Sequence, residues 1–175
     1  CNIGYILDYQ GALKQSLKYF KRAYNLAIQI NYKAGIGGYA NNIAQIYIKQ
    51  KEYKKAIVLL NSSIEILNNL GIIDSITALI GRAYSYMNLR NDRNLKIDLL
   101  KIEKHLKSNP KYSDYKMFWY LYKIYKQCSQ KQLTDKFIKL AHISLMNRCK
   151  HIINDHHKDY FLNADIAKKI LLKFK

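Results

Sequence analysis

The sequence predicts an all-α fold, and three observations support this prediction. Apolar residues recur three and four positions apart in every periodic segment, which is the spacing of a helix. The 175 residues include one proline and seven glycines, too few for a many-turned β fold. The helical pattern also restarts after roughly 40 residues, as in stacked helical hairpins. We therefore expect a right-handed α-solenoid of about four hairpins with a C-terminal capping helix.

The first hairpin, near residues 1–35, carries the same size pattern as the second, near residues 36–73. With a shift of about 40 residues, small side chains align with small ones and large with large. The aligned pairs are Ile3 with Ile43, Gly4 with Ala44, Leu13 with Tyr53, Ser16 with Ala56, Phe20 with Leu60 and Ala23 with Ser63. One hairpin alone cannot bury its apolar face, so the pattern predicts that the hairpins stack.

The second hairpin contains a polar break, Lys49-Gln50-Lys51-Glu52, between its two helices. The small residues Ala44 and Ala56 on its inner face would let two helix backbones approach closely. Just before this hairpin's helical pattern, Gly35, Gly37 and Gly38 lack the strand and lysine that a phosphate-binding loop requires. We expect these glycines to stop a helix between repeats.

The third and fourth hairpins are predicted near residues 74–110 and 111–147. Helix A of the third restarts at Ile80-Gly81 and Ala83-Tyr84. Its helix B would place Arg93, Ile97 and Leu100 at the inner positions, unless residues are inserted near Asn91-Asp92. The matching residues of the fourth hairpin are Phe118, Leu121, Tyr125, Thr134, Ile138 and Ala141.

These positions resemble the tetratricopeptide repeat over about residues 1–147. That family places a large residue, Leu-Gly and Tyr on helix A, and Ala, a large residue and Ala on helix B. In the second hairpin these fall on Ile43-Ala44, Tyr47, Ala56, Leu60 and Ser63. The long period is similar to that of kinesin light chains, of Rap- and PlcR-type regulators, and of repeat tails on bacterial signalling ATPases and cyclases. The resemblance implies a concave surface lined by the A helices that binds a peptide or protein segment.

The last segment, residues 148–175, has an amphipathic stripe opposite several lysines. Its apolar residues include Tyr160, Phe161, Leu162, Ile166, Ile170, Leu171 and Phe174. We interpret it as a linker and a capping helix that covers the end of the array. The alternatives are a basic helix that lies on a membrane surface, or one that contacts a second protein.

The net charge of +18 raises the alternative of a basic helical repeat domain that binds nucleic acid. The charge is spread evenly, with +9 in residues 1–110 and +9 in residues 111–175. Only five of the 30 basic residues are arginine, the residue that best makes bidentate phosphate and base contacts. Abundant Lys, Ile, Asn and Tyr is typical of an AT-rich genome. We therefore regard nucleic acid as an unlikely partner.

No residue pattern predicts catalysis, a cofactor or a metal. The 12 acidic residues are scattered, so no carboxylate pair indicates acid–base chemistry. The group Cys149, His151, Asp155, His156 and His157 lacks a recognised zinc spacing, and we interpret it as a solvated turn. No apolar run is long enough to span a membrane. Three widely separated cysteines favour a reducing, cytoplasmic compartment.

We expect a non-catalytic regulatory or scaffolding module that is part of a longer protein, since the chain begins inside a helical pattern without methionine. A further hypothesis is that it only holds a neighbouring catalytic domain. Asn42 matches one residue of the family's carboxylate clamp, but the partner lysines are missing. The candidate ligand contacts on the A helices are Tyr5, Tyr9, Asn41, Gln45, Lys49, Arg82, Tyr86, Trp119, Lys123 and Lys126.

Asn41, Gln45 and Lys49 are spaced by four, so we expect them to form a row along one helix face. Arg82 and Tyr86 are predicted to lie beside that row on the next A helix. Replacing Asn41 and Arg82 together with alanine is expected to abolish ligand binding and to leave the melting temperature nearly unchanged.

Overall fold

The computed structural model describes residues 2–72, 75–109 and 114–174, and these form ten helices and no strand. The all-α prediction is therefore confirmed for this part of the chain. The helices are α1 (Asn2–Tyr9), α2 (Leu13–Gln29), α3 (Lys33–Lys49), α4 (Tyr53–Asn69), α5 (Ser75–Asn88), α6 (Asp92–Ser108), α7 (Tyr115–Gln127), α8 (Lys131–Lys150), α9 (Asp155–Asn163) and α10 (Asp165–Leu171).

The first compact unit is Cys1–His105, and its helices pack against their neighbours in the chain. From α1 to α5 each helix contacts the next, and α3 also contacts α5. Phe20 of α2 packs with Ile43 and Ile46 of α3 at the centre of an apolar cluster. The hairpin predicted on either side of the polar break is confirmed as α3 and α4. The right-handed stacking of four hairpins stays a prediction.

Six helices end in the same turn geometry. The amide of the left-handed residue donates to the carbonyl three residues back, and the next amide donates to the carbonyl five residues back. These bonds satisfy carbonyl groups that have no partner inside the helix. The left-handed residues are Gly11, Asn31, Lys51, Gly71, Arg90 and Ser129. The first five follow one another at steps of 19 or 20 residues, so the sequence repeat is also a repeat of backbone geometry.

The prediction that three glycines stop a helix is wrong, because Gly35, Gly37 and Gly38 all lie inside α3. A Cβ atom on Gly37 would lie only 2.9 Å from Cγ of Leu67 in α4. Glycine at this position therefore allows α3 and α4 to approach closely. The turns that delimit α3 are centred on the left-handed residues Asn31 and Lys51.

The register predicted for α6 is also wrong. Arg93, Ile97 and Leu100 were expected on the inner face, but all three are exposed. The inner apolar residues are Leu95, Leu99 and Ile102. The register is therefore shifted by two residues, and α5 and α6 are joined by the short turn at residues 89–91.

The second compact unit, Leu106–Lys175, contains α7 to α10. Within it α7 and α8 pack against each other, and α10 contacts both. Ala167 and Ile170 of α10 are buried, as expected for a helix that covers an apolar surface. The single capping helix that was predicted is instead two helices, because the backbone is extended at Ala164. Helix α8 also continues to Lys150, beyond the predicted boundary at residue 147.

Candidate functional site

One side of α3 carries four residues at helical spacing: Gly38, Asn42, Gln45 and Lys49. Steps of four, three and four residues keep them on one line along the helix, and we call them the α3 polar stripe. Gly37, which approaches α4, lies outside this line. The α3 polar stripe therefore lies on a different side of α3 from the residues that contact α4.

Two residues of the α3 polar stripe are bonded to α1. Asn42 Nδ2 donates a hydrogen bond of 2.7 Å to the hydroxyl oxygen of Tyr5, and Lys49 Nζ forms an ion pair with the Asp8 carboxylate. The structure thus brings the sequence candidates Tyr5 and Lys49 to the same α1–α3 junction. Tyr9, another candidate on α1, is half-buried.

Asn41, which was predicted to begin the row, turns towards α5. Its Nδ2 donates to Oγ1 of Thr77 at 2.9 Å, and Gln45 Nε2 donates to Oδ1 of Asn41 at 3.1 Å. A repeated step of four residues drifts by about 40° per step on an α-helix, so a row chosen by fours leaves the face on which it began. Sequence reasoning therefore missed Asn42 as a stripe residue, although the spacing of four, three and four residues would have identified it.

Gly38 was also missed as a site residue. A Cβ atom built at Gly38 would meet no other heavy atom within 4 Å. Packing inside the protein therefore does not require glycine here, although glycine in a helix interior costs about 0.5–1 kcal/mol relative to alanine. The missing side chain leaves room for a bound group to approach the backbone of α3 beside Asn42.

Arg82 is a residue of α5, and its side chain is bonded to residues of the neighbouring helices α4 and α6. Its Nε and Nη2 atoms donate to the two carboxylate oxygens of Asp98 in α6 at 2.9 and 2.7 Å, and Nη1 donates to Asn61 in α4. Asp98 is only 1% exposed, so loss of Arg82 would leave its buried side chain without this partner. The expectation that replacing Arg82 leaves the melting temperature unchanged therefore does not hold. Tyr86, on the same helix, is half-buried.

The candidates in the second unit lie on α7. Trp119 is buried, and its ring centroid lies 5.1 Å from that of Tyr122, so the indole packs within the protein. Lys126 is exposed, with Nζ 5.9 Å from the centre of the Tyr122 ring. Lys123 is half-buried. Their steps of four and three residues place them on one line of α7, but Trp119 is buried, so they do not form a polar stripe like that of α3.

The residues that the structure describes include no group of three or more metal-ligating side chains. Cys149, from the group weighed for zinc, is buried in α8. Within the same described ranges, every helix is too short or too polar to cross a lipid bilayer. No protein-family model matches this chain, and no curated protein matches it either.

Proposed function

We propose that this chain is a non-catalytic module that binds an extended peptide or protein segment along the α3 polar stripe. The proposal includes a right-handed, tetratricopeptide-like array with a regulatory or scaffolding role in a larger protein. The open space at Gly38 is the observation that carries it. A helical glycine that no internal contact requires is explained when the backbone of a ligand passes close to it.

The stripe offers hydrogen-bonding groups that suit an extended peptide. Asn42 and Gln45 each donate through the amide nitrogen, which leaves the side-chain oxygen of each to accept a peptide N–H group. An extended segment has unpaired N–H and C=O groups along its whole length, so such contacts recognise the backbone. Side chains of the segment would then determine specificity at the flanking helices.

The two contacts to α1 border this surface. The Asn42–Tyr5 hydrogen bond and the Lys49–Asp8 ion pair lie at exposed positions, where such pairs contribute little to stability. The Lys49 side chain is 28% exposed and its ammonium group has three donors, so Nζ can bind a ligand carboxylate in addition to Asp8. We therefore propose that an acidic side chain or terminal carboxylate of the segment binds at Lys49.

The experiment is selection of binding peptides from a random display library on the whole chain, followed by calorimetry with an enriched peptide. Gly38→Leu should lower the affinity for that peptide by roughly tenfold or more, because the leucine fills the space beside Asn42. Val58→Leu, at an exposed position of α4, is the matched control and should bind as the wild type does. Equal binding by both variants, or no enriched peptide at all, would contradict the proposal.

The nucleic-acid alternative makes a different prediction. The affinity for an oligonucleotide would fall steeply as the salt concentration rises and would not change with the Gly38 substitution.

For location, we propose a reducing cytoplasmic compartment, because the three cysteines are odd in number and widely separated in the sequence, unlike a disulfide framework.

A further inference from the structure

The outer face of α2 carries four basic side chains. Lys14, Lys18 and Lys21 follow one another at steps of four and three residues, so they form one line along the helix, with Arg22 beside it. Helix α2 contains no aspartate or glutamate. The line is therefore a concentrated positive strip on an otherwise evenly charged chain, and we call these four residues the α2 basic face.

The α2 basic face is uncompensated. None of its four cations forms an ion pair within the part of the chain that the structure describes. Elsewhere in the molecule, Arg82 has a carboxylate partner at 2.7 Å, so pairing is available to basic residues in this fold. Lys21 lies 6.0 Å from the centre of the Tyr47 ring, a weak contact that leaves its charge unneutralised.

The same face is a groove rather than a bare charged surface. The basic side chains line an open groove of about 730 Å³ together with Leu17 and Leu26. On an α-helix these two leucines lie on opposite edges of the lysine line, since nine residues turn the chain by about half a rotation. Leu26 is 55% exposed. A partner that neutralises the lysines would therefore also cover an apolar side chain.

We infer that the α2 basic face docks an acidic helix of another protein, with carboxylates at steps of four and three residues that match the lysine line. Two antiparallel or parallel helices with this spacing bring each carboxylate opposite a cation. An apolar residue flanking the carboxylates would cover the exposed Leu26, whereas Leu17 already packs against the cluster around Phe20. This surface is separate from the α3 polar stripe, because α2 turns Ser16 and Phe20 inward and presents the basic face outward.

The lining residues favour an acidic protein helix over the two other anionic partners. Single-stranded nucleic acid binds through aromatic side chains on which its bases stack, and the described residues that line the groove include no aromatic one. A membrane-bound helix presents a broad apolar face to the lipid, whereas the apolar residues among the described lining of this groove are two leucines. Spaced carboxylates with apolar flanks match both the charge and the edges of the groove.

The test uses the whole chain and a labelled synthetic helix of about 20 residues that has glutamates at the matching steps and leucines on both flanks. Binding is measured by fluorescence anisotropy at low and at high salt. The same helix with glutamine in place of glutamate, an oligo(dT) strand and phosphatidylserine vesicles are the comparison probes. Lys14→Gln with Lys18→Gln removes two cations from the face, and Lys96→Gln with Lys101→Gln removes two exposed cations of α6 as a charge-matched control.

We expect the glutamate helix to bind at low salt and the glutamine helix to bind at least roughly tenfold more weakly. The α2 double variant should also weaken binding by roughly tenfold, and the α6 double variant should leave it nearly unchanged. Absence of binding by the glutamate helix, or equal loss in both double variants, overturns the inference. Preferential binding of oligo(dT) or of the vesicles would overturn it as well, since the occupant would then not be a protein helix.

Discussion

At the scale of single residues, two adjacent glycines of α3 lie in different surroundings, so the presence of glycine has a different explanation at each position. Gly37 is constrained from inside the protein, because a Cβ atom there would lie 2.9 Å from the buried side chain of Leu67. Gly38 has open space around it. A bound ligand can therefore account for the glycine at position 38, whereas the glycine at position 37 is required by packing inside the protein.

This contrast predicts opposite effects of the same substitution. Gly38→Ala should raise the free energy of unfolding by about 0.5–1 kcal/mol, because alanine restricts the unfolded chain and meets no neighbour. Gly37→Ala should lower it by about 1 kcal/mol, because the helix gain is outweighed by overpacking against Leu67. Chemical denaturation of both variants measures the two values. A loss of stability in Gly38→Ala would contradict this account of the open space.

The Arg82–Asp98 pair predicts a large effect from one truncation. Arg82→Ala should lower the stability by about 3 kcal/mol, because the buried carboxylate of Asp98 is left without its partner. The double variant Arg82→Met with Asp98→Leu should recover most of that loss, since no buried charge remains. Thermal and urea unfolding check both. If the double variant is as unstable as the single one, lost packing rather than the charge explains the effect.

The lowered pKa of His105 leads us to expect that the stability of the protein depends on pH. Burial lowers the pKa of His105 below its usual 6.5, because the folded state disfavours the charged imidazole. As the pH falls below about 6.5, the unfolded chain gains a proton that the folded chain does not take up, so stability decreases until the folded-state pKa is reached. Urea unfolding across this range should show the decrease in the wild type and a smaller one in His105→Gln. An identical slope in both would contradict the assignment.

At the scale of the elements, the turns decide where the helices end. Four of the six left-handed positions hold residues with a side chain, as at Lys51, where φ is 62°. Such a residue is strained in the left-handed region, whereas glycine is not. These turns therefore persist because of the packing of the helices that they join.

The strain can be removed or introduced by one substitution. Lys51→Gly should stabilise the protein by about 1 kcal/mol, because glycine adopts a positive φ freely. Gly71→Ala, at φ 66° and with no atom within 4 Å of the added Cβ, should destabilise it by a similar amount, about 1 kcal/mol. Denaturation of the two variants tests the same geometry in opposite directions. A change of the same sign in both would show that backbone strain is not the cause.

The elements also show what the sequence could and could not predict. The helices on either side of the polar break were predicted correctly, because size and periodicity agree there. The glycines of α3 were misread, since glycine serves equally in a turn and at a close helix contact, and only the approach of Leu67 distinguishes these roles. The register of α6 failed because the turn ends at Arg90, whose left-handed backbone has no sequence signal. For the site, the predicted row contained Asn41, Gln45 and Lys49, and the structure keeps Gln45 and Lys49 on the stripe but turns Asn41 towards α5. The prediction ignored the drift of a four-residue step.

At the scale of the whole molecule, the chain divides into two compact units, Cys1–His105 and Leu106–Lys175. In the first unit each helix from α1 to α5 contacts the next, and in the second unit α10 contacts both α7 and α8. Each unit therefore has its own apolar centre, the condition for independent folding.

This division predicts that a shortened chain ending at Asn109 folds. It should remain helical by circular dichroism and unfold cooperatively, because the cluster around Phe20, Ile43 and Ile46 is complete within it. Heating the fragment while following the helical signal is the measurement. A broad, non-cooperative loss of helix would mean that the first unit depends on the second.

The first four left-handed turns are separated by equal steps of 20 residues, and this has a consequence for how the molecule can change in length. Asn31 and Gly71 end α2 and α4 with the same bonds, and Phe20 and Leu60 occupy matching buried positions on those helices. A copy of residues 32–71 inserted after Gly71 would begin after the turn at Gly71 in place of the matching turn at Asn31. It would end at its own copy of the Gly71 turn, so both junctions would keep the same backbone bonds. Insertions of a few residues would break this match, whereas whole hairpins would preserve it. We therefore expect that duplication or deletion of a whole hairpin would preserve the turn geometry at the junctions on either side of it.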